Sequence, residues 1–127
     1  TEAEARLFEA AETAGVGLMC RMPLARGVLT GKFSPDEEVS EGHRALLDGD
    51  KMWDHIRMAE TLRPIADAYP GGMTHLALHF SLTPPAISAI IPGARSLDQL
   101  EENVAGSNGE GLADRVQDAV RQITTGW

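Results

Sequence analysis

Two short apolar runs that end in turns constrain the fold of this chain more than any other feature. Residues 16–20 and 86–91 are predicted to be strands, and the first precedes Pro23 while the second stops at Pro92. Apolar residues outside these runs recur with helical spacing. The resulting order of helix, strand, helices, strand and helices is typical of a parallel α/β sheet. Because two parallel strands cannot cover their own edges or close a barrel, we expect further strands beside them.

The predicted helices carry their apolar residues on one side and have recognisable ends. Pro64 should end or bend the second helix, because proline removes a backbone donor. The segment Met22–Gly49 contains several prolines and glycines and is predicted to be mostly loop, of a length that is often functional. The predicted helices are Thr1–Ala14, Asp50–Tyr69, Thr74–Leu82, Ser96–Ala105 and Leu112–Ile123.

Composition excludes some classes of function. With 127 residues, 43% of them hydrophobic, the chain has the size and composition of one globular domain, residues 1–127. The net charge of −8 argues against nucleic acid as a partner, because its phosphates require a basic face. Cys20 is the single cysteine and cannot form an internal disulfide, so we expect a reducing compartment, the cytoplasm. No apolar run approaches the roughly 20 residues that span a membrane.

The end of the second strand has the properties of an anion site. The apolar run stops at Pro92-Gly93, Arg95 follows, and Ser96 begins a helix with Gln99 three residues later as a capping-box partner. Backbone N–H groups and the dipole at a helix N-terminus favour a phosphate. The guanidinium of Arg95 adds a fork of donors that matches phosphate oxygens.

The loop after the first strand could form a second anion site. Gly27 lets the backbone approach a ligand closely, and N–H groups of a turn can form an anion nest. Spacing alone also permits an ordinary strand-to-helix loop with a solvated Arg26. Because ligands of a β/α barrel bind at the carboxyl ends of its strands, both loops should face the same pocket.

These two segments resemble the aldo/keto reductase family. Residues 91–103 read Ile-Pro-Gly-Ala-Arg-Ser followed by Glu-Asn, like that family's last strand and cofactor loop. Residues 17–32 end Pro-Leu-Ala-Arg-Gly-Val-Leu-Thr-Gly-Lys, like its penultimate strand and following loop. The resemblance covers most of the chain but only the C-terminal part of the family's barrel. It implies the C-terminal portion of a (β/α)8 TIM barrel, with two parallel strands and several helices.

The resemblance also implies that these residues bind a nicotinamide cofactor, NADP, with NAD also compatible. The loop after the first strand would contact the pyrophosphate, and Arg21 would stack on the nicotinamide, although Arg21 could equally pair with a carboxylate. Gly93, Ala94 and Arg95 would hold the 2′-phosphate, while the next helix would contact adenine or, alternatively, present a solvated face. The implied cofactor-binding residues are Arg21, Pro23, Leu24, Gly27, Gly93, Ala94, Arg95, Gln99, Glu102 and Asn103.

The activity implied by the family is reduction of aldehydes or ketones by hydride transfer from NADPH. Its catalytic tyrosine, lysine, aspartate and histidine lie on earlier strands, and none can be placed here, so we expect the segment to be inactive alone. Tyr69, the single tyrosine, lies at a predicted helix end far from both motifs. Expected partners are the cofactor, a small carbonyl substrate, and the remainder of the barrel or a second chain. The alternative is a non-catalytic nucleotide-binding or interaction module derived from the same fold.

Two further features have simpler structural interpretations. His75 and His79 are four residues apart, a spacing that can bind metal, but no third ligand accompanies them. We therefore expect both histidines to lie on a helix face or to serve in helix packing. Cys20 is interpreted as a small core residue of a strand that is buried on both faces.

Overall fold

The computed structural model of the chain describes residues 2–36, 38–42, 51–107 and 111–125, with side chains from residue 5 onward. Positions 1 and 43–50 lie outside this range, so the predicted starts of the first two helices and the end of the long loop are not described. The described elements are α1 (Glu2–Ala14), β1 (Leu18–Arg21), a 3₁₀ helix (Ala25–Thr30), α2 (Met52–Thr61), α3 (Arg63–Asp67), α4 (Gly72–Leu82), β2 (Ile87–Ile91), α5 (Leu97–Ala105) and α6 (Asp114–Thr124).

The two strands pair in parallel, as predicted. Leu18 faces Ile87 and Arg21 faces Ile91, with a β-bulge between Leu18 and Met19. The chain therefore leaves the sheet at the same edge after each strand, and the two Gly-rich loops begin there. Among the described residues, no helix is both long and apolar enough to cross a membrane.

The prediction that the first strand is buried on both faces is wrong. Its residues alternate between half-buried and exposed, and Met19 is 63% exposed. The buried side of the sheet is covered by α4, whose fully buried Leu78 belongs to a cluster that packs against Ile90. No described element covers the other side, which carries the exposed Met19. Cys20, on the same face as Leu18, is half-buried rather than a core residue.

Pro64 divides the predicted helix 50–69 as expected. α2 ends at Thr61, Leu62 is the shared residue, and α3 carries Pro64 in its first turn, where a missing N–H costs nothing. Each predicted helix in the second half of the chain is present, and its ends differ from the prediction by two residues at most.

The core lies beneath the loop that follows β1. Three clusters of buried apolar residues form between the 3₁₀ helix and α2, between α3, α4 and α6, and between α4 and the start of the loop. Leu29 of the 3₁₀ helix packs against all three. Burial of Val28 and Leu24 beside it fixes the loop on the core, so its other side is presented at the edge of the sheet.

Candidate functional site

A cleft of about 730 Å³ opens at the carboxyl ends of the two strands. Its walls are the loop after β1, the loop after β2, helix α5 and Thr74 at the start of α4. Nine of the ten predicted site residues line it, and the buried Pro23 does not. The nine are Arg21, Leu24, Gly27, Gly93, Ala94, Arg95, Gln99, Glu102 and Asn103.

The backbone of the first loop is bent into an unusual shape. Met22, Ala25 and Arg26 have φ values of 53°, 46° and 57°, in the left-handed region that side chains with a Cβ rarely adopt. Gly27 follows with φ 96°. Such strain persists where surrounding contacts hold it, and here the buried Leu24 supplies them.

The N–H groups of this loop are partly used within the loop itself. Ala25 donates to the carbonyl of Met22 at 2.9 Å, and Gly27 donates to that of Leu24 at 2.8 Å. Positive charge at this end of the cleft therefore comes mainly from the side chains of Arg26 and Lys32, which also line it. The ammonium of Lys32 lies 4.9 Å from the centre of the Phe33 ring, a cation–π distance.

Arg63 holds the backbone on both sides of Lys32. Its guanidinium donates to the carbonyls of Gly31 at 3.1 Å and Phe33 at 3.4 Å, and to the carboxylate of Glu60 at 2.8 Å. The hydrogen bond from Arg63 lowers the pKa of Glu60, and the same bond raises the pKa of Arg63. A charged pair on α2 and α3 thus fixes where the Lys32 backbone enters the cleft.

The second loop ends in a modified capping box. The hydroxyl of Ser96 accepts a hydrogen bond from the N–H of Gln99 at 3.3 Å, as predicted. The amide oxygen of Gln99 accepts from the N–H of Arg95 at 2.8 Å, one residue before the N-cap. This reciprocal bond therefore fixes the backbone of Arg95, whose guanidinium lines the cleft. The first turn of α5 lies beside the cleft as well.

Asn103 and Glu102 occupy different environments although they are adjacent. Asn103 is buried, and its side-chain N–H donates to the carbonyl of Gly93 at 3.3 Å. Glu102 is exposed and lines the cleft. The solvated helix face considered from sequence is thus wrong for Asn103, because its amide joins α5 to the loop after β2.

The charges in the cleft differ from those of the whole chain. Among the residues that the structure describes, four cationic side chains and one carboxylate line it, although the net charge of the chain is −8. The sequence also allowed Arg21 to pair with a carboxylate. Among the described residues, no carboxylate forms an ion pair with Arg21. The cations are Arg21, Arg26, Lys32 and Arg95.

Comparison with known proteins places this chain in a family. The sequence model of the Aldo/keto reductase family matches residues 1–124. The chain belongs to the aldo/keto reductase family. Members of this family generally use nicotinamide cofactors and act on carbonyl substrates.

Several curated relatives align over most of the chain. A probable voltage-gated potassium channel subunit beta from Arabidopsis thaliana is 33% identical over 96 residues, 71% of this chain and 29% of that protein. Aldo-keto reductase str7 from Strobilurus tenacellus is 33% identical over 124 residues, 92% and 36% of the two chains. L-glyceraldehyde 3-phosphate reductase from Escherichia coli O157:H7 is 28% identical over 111 residues, 80% and 32%. The chain thus spans about a third of the length of these curated relatives.

Sequence reasoning missed some side chains that line the cleft of this aldo/keto reductase chain. Lys32 ends the Leu-Thr-Gly-Lys segment that carried the resemblance, so its position was a usable signal. Thr74 is 3% exposed and comes from the first turn of α4. Its place on a predicted core helix gave no sign of the cleft, because the approach of α4 to both loops is a tertiary contact.

Proposed function

We propose that the cleft binds NADP and that this chain supplies the cofactor-binding part of a reductase of aldehydes and ketones. The observation that carries the proposal is the cluster of four cationic side chains at the carboxyl ends of two parallel strands. Such an edge is where ligands of β/α barrels bind. The proposal extends to the fold: the chain would form the C-terminal portion of a (β/α)8 barrel, whose other strands flank β1 and β2.

The residues fit a dinucleotide phosphate in size and charge. A volume of about 730 Å³ lies within the roughly 300–1,000 Å³ of typical ligand pockets. Arg26 and Lys32 lie on the loop after β1, where the pyrophosphate would bind. Arg95 precedes the N-terminus of α5, where a guanidinium and the helix dipole would favour a 2′-phosphate. Glu102, further along α5, would face adenine.

When bound, the cofactor supplies the hydride that reduces the substrate carbonyl. The residues of this chain bind and orient it. Arg21 at the end of β1 would stack on the nicotinamide through its planar guanidinium. Tyr69 is not the proton donor in this proposal, because its hydroxyl lies 2.7 Å from His79 Nδ1, away from the cleft lining. The proton donor is expected on other strands of the barrel.

Calorimetric titration of the intact protein with NADPH and NADH tests the proposal. Arg95→Ala should weaken NADPH binding about tenfold or more and NADH binding little, since only NADPH carries the 2′-phosphate. Arg115→Ala, which removes an exposed arginine of α6 outside the cleft, is the matched control. Equal losses for the two cofactors would exclude the 2′-phosphate role, and absence of any nucleotide binding by the wild-type protein would exclude the function.

A second candidate is a nucleotide-binding module that does not catalyse reduction. The similarity to probable potassium channel β subunits favours it, since those names describe assembly with a channel rather than an enzyme. Both candidates predict the same cofactor titration. They differ in an assay that follows the absorbance of NADPH during incubation with a panel of aldehydes. The absorbance should fall only if the protein is a reductase.

A further inference from the structure

We propose that His79 and His75 are positioning residues that hold the C-terminal end of α5 and thereby fix the adenosine half of the cleft. The ligand named here rests on the proposed function, whereas the helix clamp itself does not. Neither histidine lines the cleft, so each would act only through α5.

His79 forms the centre of a buried hydrogen-bond relay. It is 7% exposed, its Nε2 lies 2.9 Å from the carbonyl oxygen of Gly106, and its Nδ1 lies 2.7 Å from the hydroxyl of Tyr69. Because a carbonyl oxygen can only accept, Nε2 must carry the proton. Nδ1 is then the acceptor, and Tyr69 donates to it. The relay therefore connects three parts of the fold: Tyr69, just beyond α3, His79 on α4, and Gly106, which caps α5.

His75 provides a second attachment one turn earlier on α4. Its Nε2 lies 3.1 Å from the carbonyl oxygen of Glu102, in the last turns of α5. The Glu102 carbonyl also accepts a hydrogen bond from the backbone N–H of Gly106 at 3.0 Å, so His75 is a second donor to an oxygen that already has a partner. Gly106 approaches so closely that a Cβ there would lie 3.0 Å from His75 Cδ2 and 3.0 Å from a methyl carbon of Leu78. The two imidazoles thus bind the end of α5 at two carbonyls.

Apolar packing does little to hold α5 in the described structure. Asn103 is its buried residue, while Leu97, Leu100 and Val104 are 66%, 51% and 65% exposed. The position of the helix therefore depends strongly on polar contacts. The histidines supply those contacts at its C-terminal end.

The same helix holds the shape of the loop after β2. Gln99 accepts from the Arg95 N–H and Asn103 donates to the Gly93 carbonyl. A helix of nine residues transmits a displacement at one end to the other. Loosening the histidine clamp should therefore move the loop that would bind the 2′-phosphate, while the loop after β1 keeps its own packing on the core.

The test compares His79→Leu with His79→Gln in the intact protein. Leucine removes both hydrogen bonds, whereas glutamine keeps a donor for Gly106 and an acceptor for Tyr69. In cofactor-free protein, His79→Leu should accelerate amide exchange in residues 97–106 about tenfold relative to wild type, and His79→Gln should restore most of the protection. Tyr69→Phe, which removes the hydroxyl that lies against His79 Nδ1 and keeps the ring, should give a smaller acceleration and serves if the leucine variant does not fold.

A second readout separates positioning from general destabilisation. Affinity for adenosine 2′,5′-bisphosphate should fall about tenfold in His79→Leu, and affinity for nicotinamide mononucleotide should stay unchanged. Unaltered exchange in α5, equal losses for both fragments, or no rescue by glutamine would overturn the clamp. If the wild-type protein bound neither fragment while α5 still responded, the proposed function would fail and the clamp would stand.

Discussion

The side-chain amide of Asn103 donates a 3.3 Å hydrogen bond to the carbonyl of Gly93 and so joins α5 to the turn after β2. Asn103→Asp keeps the shape of the side chain but replaces the donor with a carboxylate. The Gly93 carbonyl loses its partner and a buried charge faces it, so the free energy of unfolding should fall by about 1–3 kcal/mol. Urea denaturation of the intact protein measures this loss.

Gln122→Glu is the matched control for that variant, because it adds the same charge at an exposed position of α6. We expect a change within about 0.5 kcal/mol there. A loss for Asn103→Asp no larger than that of the control would show that the bond to Gly93 contributes nothing to stability.

Gly27→Val should impair binding of NADPH and NADH to the same degree. Valine at φ 96° is strained by more than about 1 kcal/mol, and its Cβ would lie 3.4 Å from the Lys32 ammonium. The pyrophosphate half is common to both cofactors, so calorimetry should show similar losses. Gly42→Val is the control, because no atom lies within 4 Å of a Cβ there. If only NADPH binding weakened, the pyrophosphate would have to lie elsewhere.

The pair of Glu60 and Arg63 makes stability depend on pH. Folding lowers the pKa of Glu60 through the hydrogen bond from Arg63, so the folded state favours the carboxylate. The contribution is complete above the ordinary glutamate pKa of about 4.3 and is lost as the pH falls through the lowered folded pKa. Because both side chains are about a third exposed, about 0.2–1 kcal/mol is expected.

Glu60→Gln should remove that pH-dependent part of the unfolding free energy. Asp54→Asn is the control, because Asp54 and Arg57 form a pair with the same spacing that is 68% and 66% exposed. The difference in unfolding free energy between about pH 7 and pH 3 should be about 0.2–1 kcal/mol smaller in the Glu60 variant than in wild type, and nearly unchanged in the Asp54 variant. A Glu60 variant with the full wild-type pH dependence would contradict the assignment.

Local patterns predicted much of the secondary structure. Helical periodicity, Pro64 and the Ser96 cap depend on residues within a few positions of one another, so the sequence was sufficient to locate α2 to α5. The convergence of the two loops followed from the parallel strands and the rule on barrel strand ends. Their assignment to a nicotinamide cofactor came from the family resemblance and stays a prediction.

The features that sequence reasoning missed depend on distant contacts. Burial of Asn103 requires Gly93, and the partners of His79 lie 10 and 27 residues away. The left-handed backbone at Met22 and Ala25 has no signal in residue type, because neither is glycine. The prediction that β1 is buried on both faces was wrong for a similar reason. An apolar run shows that a strand can be buried, but the elements that pack against it determine how much of it is buried.

Leu78→Ala should be the most destabilising of these substitutions. Leu78 is fully buried on α4, packs with Leu24 and contacts the face of β2. Truncation leaves a cavity between the helix and the sheet, and buried leucines lose about 2–5 kcal/mol on such a change. Leu97→Ala, at a position that is 66% exposed on α5, should cost less than about 1 kcal/mol.

Because Leu24 anchors the strained loop, the Leu78 variant should also weaken NADPH and NADH binding alike under conditions where it remains folded. Equal melting temperatures for the two leucine variants would show that the sheet and α4 do not form the core described here.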